Sequence, residues 1–196
     1  MKALSVIRWF VLSALILACS AALAQTESKS AEPPPQLAPD RDGSHDFDFL
    51  IGNWKAHVRR LPNRLHGSNK WDVYDGISNH KKLLDSNANF EEFDVYSPGI
   101  QQRIKAQTLR LYNPETHQWS IYLVDLDKGT LDLPPVIGQF NGKRGEFYNQ
   151  DKFKGRAIYV RYVWLDLSPK SARMEQSWSA DGGKTWEVNW ICELSR

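Results

Sequence analysis

Apolar and polar residues alternate along most of the chain from about residue 54 onwards, which is the two-residue period of β-strands. Turn-forming residues, such as those of segment 113–117, separate the alternating runs. One short helical turn over 46–50, capped by Ser44, is predicted before the first strand. The strands are predicted over residues 54–61, 71–77, 81–84, 90–96, 103–112, 118–125, 136–140, 145–149, 156–166, 172–179 and 185–194.

Strands at such short spacing, joined by tight turns, predict an all-β fold built as an antiparallel meander of about ten strands. A meander that is apolar on one face leaves two exposed edges unless the sheet closes on itself. We therefore expect residues 44–196 to form one closed β-barrel domain with a short helix at its N-terminal end.

Strand alternation also assigns side chains to faces of the sheet. If Tyr112 pairs with Gln118, one face of that hairpin carries Leu109, Leu111, Trp119, Ile121 and Leu123. If Trp164 lies opposite Met174, the apolar face near the C-terminus carries Ile158, Val160, Tyr162, Trp164, Met174, Gln176, Trp178, Trp186, Val188, Trp190 and Cys192. The opposite, solvated face is predicted to carry cross-strand polar groups, namely Arg161, Glu175, Ser177, Glu187, Asn189 and Glu193.

The N-terminal segment has the composition of an export signal. Lys2 and Arg8 precede a short apolar run, and Ala22-Leu23-Ala24 follows it, which predicts a secretory signal peptide over 1–24. The apolar run is too short for a transmembrane span. Residues 25–43 are polar and rich in proline, which predicts a disordered tether. We expect a periplasmic or secreted protein cleaved near Ala24, or, with a different cleavage site, a lipoprotein anchored at Cys19.

The charge balance and the cysteine count limit which partners and cross-links the protein is expected to have. Removing Lys2 and Arg8 from the 25 basic residues leaves 23 against 23 acidic ones, so the exported chain is formally neutral. A neutral chain with interspersed charges gives no electrostatic footprint for nucleic acid. Cleavage also leaves Cys192 as a single thiol, which predicts a buried packing role instead of a disulfide. The oligomeric state stays open.

Two local motifs point to structure. Segment 179–186 matches the Asp-box pattern S-x-D-x-G-x-T-W, in which Asp181 and the glycines staple a hairpin. One copy cannot build a propeller, so the motif predicts a structural turn and no glycan hydrolysis. Gly52-Asn53-Trp54 resembles the G-x-W opening of the lipocalin and fatty-acid-binding (calycin) group. That resemblance implies a tryptophan on the barrel floor and a late arginine across it, for which Arg196 is the candidate.

A wider resemblance covers residues 46–196. Segments 47–54, 109–114, 119–122 and 174–190 resemble a family of exported, calycin-like bacterial proteins of the DUF1579 type. The resemblance implies a lipocalin-like barrel and brings no settled activity with it.

Candidate catalytic and metal-binding patterns are weak. The five histidines and two cysteines have no metal-ligand spacing, and no serine lies in a nucleophile elbow. His57 is opposite in parity to Trp54 and Val58, which predicts an outward side chain and no haem ligand. The sequence therefore predicts no catalytic residues, no metal and no cofactor.

The main hypothesis is a barrel that binds a small, largely apolar ligand in its interior. The predicted ligand-binding residues are Tyr162, Trp164, Gln176, Trp178 and Trp190. Gln176, as the polar group on an apolar face, would orient the ligand. Two alternatives stay open: an isomerase, cyclase or hydrolase that uses a buried titratable group in the lumen, and a non-catalytic envelope protein with a filled core.

Overall fold

The computed structural model describes residues 41–84 and 87–196. The predicted signal peptide 1–24, Cys19 and most of the tether 25–43 lie outside the described residues, so export stays a prediction. Within the described part, no helix is long and apolar enough to cross a membrane. One 3-10 helix spans Asp48–Leu50. The strands are β1 (Gly52–Arg60), β2 (Asp72–Lys82), β3 (Ala88–Ser97), β4 (Gln102–Asn113), β5 (Gln118–Asp125), β6 (Thr130–Leu131), β7 (Val136–Asn141), β8 (Arg144–Phe153), β9 (Arg156–Leu165), β10 (Ser171–Ser179) and β11 (Glu187–Ser195).

The strands form one closed antiparallel barrel, as predicted. Their order is β4-β3-β2-β1-β11-β10-β9-β8-β7-β5, and pairing of β4 with β5 closes the ring of ten. The two-residue strand β6 pairs with β5 beside this ring. Closure pairs the backbone N–H and C=O groups that an open sheet edge would leave without partners. The two strands predicted over 71–77 and 81–84 are one continuous strand, β2.

The lower end of the barrel, where the 3-10 helix lies, is closed by aromatic packing. The Phe47 ring centroid lies 5.1 Å from that of Trp119, edge to face. Trp54 donates from Nε1 to the Leu50 carbonyl at 2.7 Å, and both residues are buried. The guanidinium of Arg196 lies over the Trp54 ring, as the calycin resemblance implies. This end is therefore a packed floor.

Residues 41–43, predicted to belong to the disordered tether, contact this floor. Trp119 Nε1 donates to the Gly43 carbonyl at 2.9 Å, and the Gly43 amide donates to the Tyr112 hydroxyl at 3.0 Å. The predicted Ser44 cap is wrong: the Ser44 hydroxyl donates to Asp42, and the helix has no side-chain cap. Contacts of backbone amide and carbonyl with aromatic side chains hold the entry segment instead.

The register of the β4–β5 hairpin differs from the prediction by one residue. Gln118 pairs with Asn113, and Tyr112 pairs with Trp119. Since a one-residue shift moves every side chain of a strand to the opposite face, Leu109 and Leu111 do not face the core, and Leu111 is exposed. Arg110, between them, is buried instead.

The last hairpin contains a β-bulge that the alternation rule missed. Gln176 pairs with Trp190 and Ser177 with Val188, so Asn189 is an extra residue in β11.

The bulge reverses the alternation before it, so the predicted face is wrong for Trp186 and Val188. Trp186 packs on the outer surface, where the Arg161 guanidinium lies 4.5 Å from its ring centroid. Trp164 does lie opposite Met174, as predicted.

Candidate functional site

A cavity of about 480 Å³ occupies the barrel interior. It reaches from the floor to the upper end, where loop residues Arg64, Asp132 and Pro134 line it. Its middle is apolar because inward positions of strands on opposite sides of the ring carry Phe93, Ile121 and Val160. The floor of aromatic side chains closes the lower end, so a ligand would enter between the upper loops.

All five residues predicted from the sequence to bind a ligand line this cavity, namely Tyr162, Trp164, Gln176, Trp178 and Trp190. The strands β9, β10 and β11, which carry them, are consecutive neighbours in the ring. The residues therefore form one continuous wall, although their contact with a ligand stays a prediction.

Neighbouring side chains hold the tryptophans of this wall in place. Arg64 lies over the Trp178 ring at 4.4 Å from its centroid, and the Phe153 ring lies 4.8 Å away. Trp190 packs 6.1 Å from Phe93 across the barrel. Rings fixed by such contacts present a preformed apolar surface, which binds a ligand at a smaller entropic cost than a mobile one.

Gln176 differs from its predicted role as an isolated polar group. Its Nε2 donates to Asn189 Oδ1 at 2.6 Å, and Asn189 is fully buried instead of lying on the outer face. The bulge produces this contact, because it turns the Asn189 side chain toward Gln176. The Gln176 amide is thus held in one orientation, with its oxygen left as a possible acceptor for a ligand.

An ion pair that the pattern of apolar and polar residues does not predict lines the lower part of the cavity. Arg110 Nη2 donates to Glu91 Oε2 at 2.6 Å, and both residues are more than nine-tenths buried. Arg110 Nη1 also donates to Asn89 Oδ1 at 3.1 Å. The Arg110 guanidinium lies 5.8 Å from the Trp164 ring centroid. A buried charge requires such partners, because its desolvation is otherwise prohibitive.

A histidine and a serine complete this buried group. Ser78 Oγ donates to Glu91 Oε1 at 2.7 Å and lies 2.8 Å from His80 Nε2. Burial lowers the pKa of His80 to about 4, against the opposing effect of the Glu91 carboxylate. Burial alone would raise the pKa of Glu91, but Arg110 and His80 outweigh it and bring the pKa to about 2. Near neutral pH, Glu91 is therefore ionised and His80 is neutral.

Several cavity-lining side chains carry polar atoms without a protein partner. Within the described part of the chain, Arg110 Nε, Trp164 Nε1 and Trp178 Nε1 are buried N–H groups with no acceptor. Asn149 Oδ1 is a buried acceptor without a donor, while its Nδ2 donates to the Pro134 carbonyl. Buried polar groups are usually satisfied, so these four unpaired atoms mark side chains of the cavity wall whose hydrogen bonding is incomplete within the protein.

The remaining reactive groups of the cavity are poorly suited to catalysis. Burial raises the pKa of Tyr162 to about 12, and burial together with Glu91 raises the pKa of the Cys192 thiol. A neutral thiol is a weak nucleophile. No group of three or more His, Cys, Asp or Glu side chains that could hold a metal ion occurs among residues 41–84 and 87–196. His57 faces outward and pairs with Asp75, as its parity predicted.

Comparison with solved structures supports the barrel fold. The chain is similar to an S-type phycobiliprotein lyase, CPES, from Guillardia theta, with a TM-score of 0.52 and 11% identity over 81% of this chain and 94% of that one. It also matches a structure described as EF1p2_mFAP2b bound to DFHBI, with a TM-score of 0.41 and 10% identity over 79% of this chain and 98% of that one. No protein-family model matches the chain, and no curated protein matches it. At such low identity the first similarity supports a lipocalin-like barrel fold alone.

Proposed function

We propose that this barrel binds a small, largely apolar molecule in its interior. The observation that carries the proposal is the cavity of about 480 Å³ enclosed by the strands. Its volume lies within the range of roughly 300–1,000 Å³ that is typical of small-molecule sites. The wall has the composition of such sites, since aromatic and aliphatic side chains surround a few fixed polar groups.

The cavity favours this proposal over the filled-core alternative. A non-catalytic barrel whose interior is filled by side chains would leave little space between them. Here the lumen keeps an open volume lined by Trp178 and Trp190 from neighbouring strands. Side chains that line an open cavity lack van der Waals contacts on that side. A ligand in the cavity would supply those contacts, which favours a binding function.

The enzymatic alternative receives less support from the titratable groups. General acid–base catalysis works best with a pKa near the working pH. The pKa of Glu91 is lowered to about 2 and that of Tyr162 is raised to about 12, so neither group exchanges a proton readily near neutrality. Both groups are better suited to holding a fixed charge or a fixed hydrogen bond.

Native mass spectrometry of the protein purified from a bacterial envelope extract tests the proposal. We expect a bound small molecule that is released on unfolding. An Ala106→Trp variant, which fills the lumen, should carry less of it, whereas Lys105→Trp, which alters an exposed neighbour on the same strand, should carry the same amount. Ligand-free protein from every extract, or equal loading of both variants, would contradict the proposal.

We also propose that the protein is exported and belongs to the DUF1579-type family that its sequence resembles. The charged, apolar and A-x-A pattern of residues 1–24 supports export. Segments 47–54, 109–114, 119–122 and 174–190 support the family. Mass analysis of the protein from periplasm should give a chain that begins at Gln25. A lipidated chain beginning at Cys19 would indicate the lipoprotein, and an unprocessed chain in the cytoplasm would exclude export.

A further inference from the structure

The charged groups of the cavity do not favour an anion. Its lining contains two arginines, Arg64 and Arg110, against three carboxylates, Glu91, Asp132 and Asp151. Arg110 is the cation deepest in the lumen, and its Nη2 is already bound to Glu91 at 2.6 Å. Arg64 lies over the Trp178 ring near the upper end. An anionic ligand would therefore meet a surplus of negative charge and an arginine that is already neutralised.

The hydrogen bonding of the cavity wall is not complete within the described part of the protein. Arg110 Nε, Trp164 Nε1 and Trp178 Nε1 are N–H donors without a protein acceptor. Arg110 and Trp164 are neighbours, with the guanidinium 5.8 Å from the ring centroid. An indole N–H and a guanidinium Nε–H can only donate. Each of these nitrogens is fully buried, so the donors do not by themselves determine which ligand binds.

We propose that the cavity selects neutral ligands, such as an ester, a ketone or an amide, and discriminates against the corresponding carboxylates. This inference rests on the proposed ligand-binding function. Glu91 is the selectivity residue, because its carboxylate neutralises the Arg110 guanidinium inside the lumen. The carboxylates of Asp132 and Asp151, which line the upper end of the cavity, also repel an anion.

A pair of fluorescent probes that differ only in charge tests this selectivity. Methyl 1-pyrenebutanoate and 1-pyrenebutanoic acid share one apolar body, and the acid is ionised at about pH 7. We expect the purified protein to bind the ester more tightly by about tenfold or more. Equal or tighter binding of the acid would overturn the selectivity and leave the binding function intact. No binding of either probe would overturn both proposals.

The Glu91→Gln variant tests the assigned residue. The amide keeps the shape of the side chain and removes its charge, so Arg110 becomes an unneutralised cation in the lumen. We expect the ratio of acid affinity to ester affinity to rise by about tenfold. An unchanged preference in folded Glu91→Gln would overturn the role of Glu91.

A surface variant provides a second route that leaves the buried group intact. Asp151→Asn at the upper end of β8 removes one lining carboxylate. Acid affinity should rise by about two- to threefold, because this charge is more solvated than Glu91. Should Glu91→Gln fail to fold, this variant and the wild-type comparison decide the proposal, and an unchanged preference in Asp151→Asn would count against it.

Discussion

The guanidinium carbon of Arg196 lies 3.9 Å from the centroid of the Trp54 ring, so the residue that follows β11 covers the tryptophan of the first strand. The same guanidinium donates to the carbonyls of Ile51 and Phe49 at 3.0 and 3.1 Å, and Nε donates to Pro169. These contacts join the residue after β11 to β1, to the segment before β1 and to the loop between β9 and β10. The Arg196 side chain thus holds together the packed floor below the cavity.

Replacing Arg196 with alanine should destabilise the barrel. The variant loses the stacking on Trp54 and three hydrogen bonds to carbonyls, and we expect a loss of about 1 to 3 kcal/mol in the free energy of unfolding. Urea denaturation followed by tryptophan fluorescence measures it. Ser195→Ala, at an exposed neighbouring position, is the matched control. Equal stability of both variants would show that the floor does not depend on Arg196.

The buried Glu91–Arg110 pair should be strongly coupled. Removing one partner strands a charge in the core, so Arg110→Met alone should cost about 3 to 5 kcal/mol of unfolding free energy. The double variant Arg110→Met with Glu91→Leu should be far more stable than the sum of the single effects predicts. Chemical denaturation of the four proteins gives the coupling energy.

The exposed pair Arg103–Asp94 joins the same two strands at 2.6 Å and serves as the control for this cycle. Solvent screens it, so its coupling should be much smaller. A coupling of Glu91 with Arg110 that is no larger than that of the control pair would contradict the view that the buried group is a fixed structural anchor.

The buried histidine should make stability depend on pH. Burial holds the pKa of His80 near 4 in the folded protein, below its ordinary value of 6.5, so the unfolded chain binds the proton more readily. The free energy of unfolding is therefore undiminished by this effect above about pH 6.5. It decreases by up to about 3 kcal/mol as the pH falls from there toward about 4.

Denaturation curves at a series of pH values in the wild type and in His80→Gln measure this dependence. The variant should lose most of the slope between these limits, although a lower absolute stability is expected from its altered contact with Ser78. The Glu91 pKa of about 2 adds a second loss of stability below about pH 4.5. An unchanged slope in the histidine variant would show that His80 titrates normally in the folded barrel.

Much of the barrel could be predicted from the sequence because its strands follow a strict alternation. The wall of β9 and β10 was placed correctly, since Trp164 pairs with Met174 without an irregularity between them. The same rule failed after Gln176, because a bulge adds Asn189 to the partner strand. A bulge depends on the local pairing of two strands, which alternation within one strand does not reveal.

The buried ion pair was missed for a related reason. Leu109, Arg110 and Leu111 alternate perfectly, and hydrophobicity alone assigns the leucines to the core. The pairing of Tyr112 with Trp119 reverses this assignment, so Arg110 enters the lumen. Its partner Glu91 lies on β3, paired opposite Thr108. A charged side chain is tolerated in the core only when a partner on the neighbouring strand neutralises it. The sequence of one strand alone does not reveal that partner.

The central claim, that the barrel interior is a ligand site, is tested most directly by titrating methyl 1-pyrenebutanoate into the wild type, Ala106→Trp and Lys105→Trp. Ala106 lines the cavity, and its neighbour Lys105 is exposed on the same strand. We expect wild-type affinity in Lys105→Trp and a loss of about tenfold or more in folded Ala106→Trp, because the added indole occupies the lumen. Equal affinity in all three folded proteins would place the probe outside the barrel and contradict the claim.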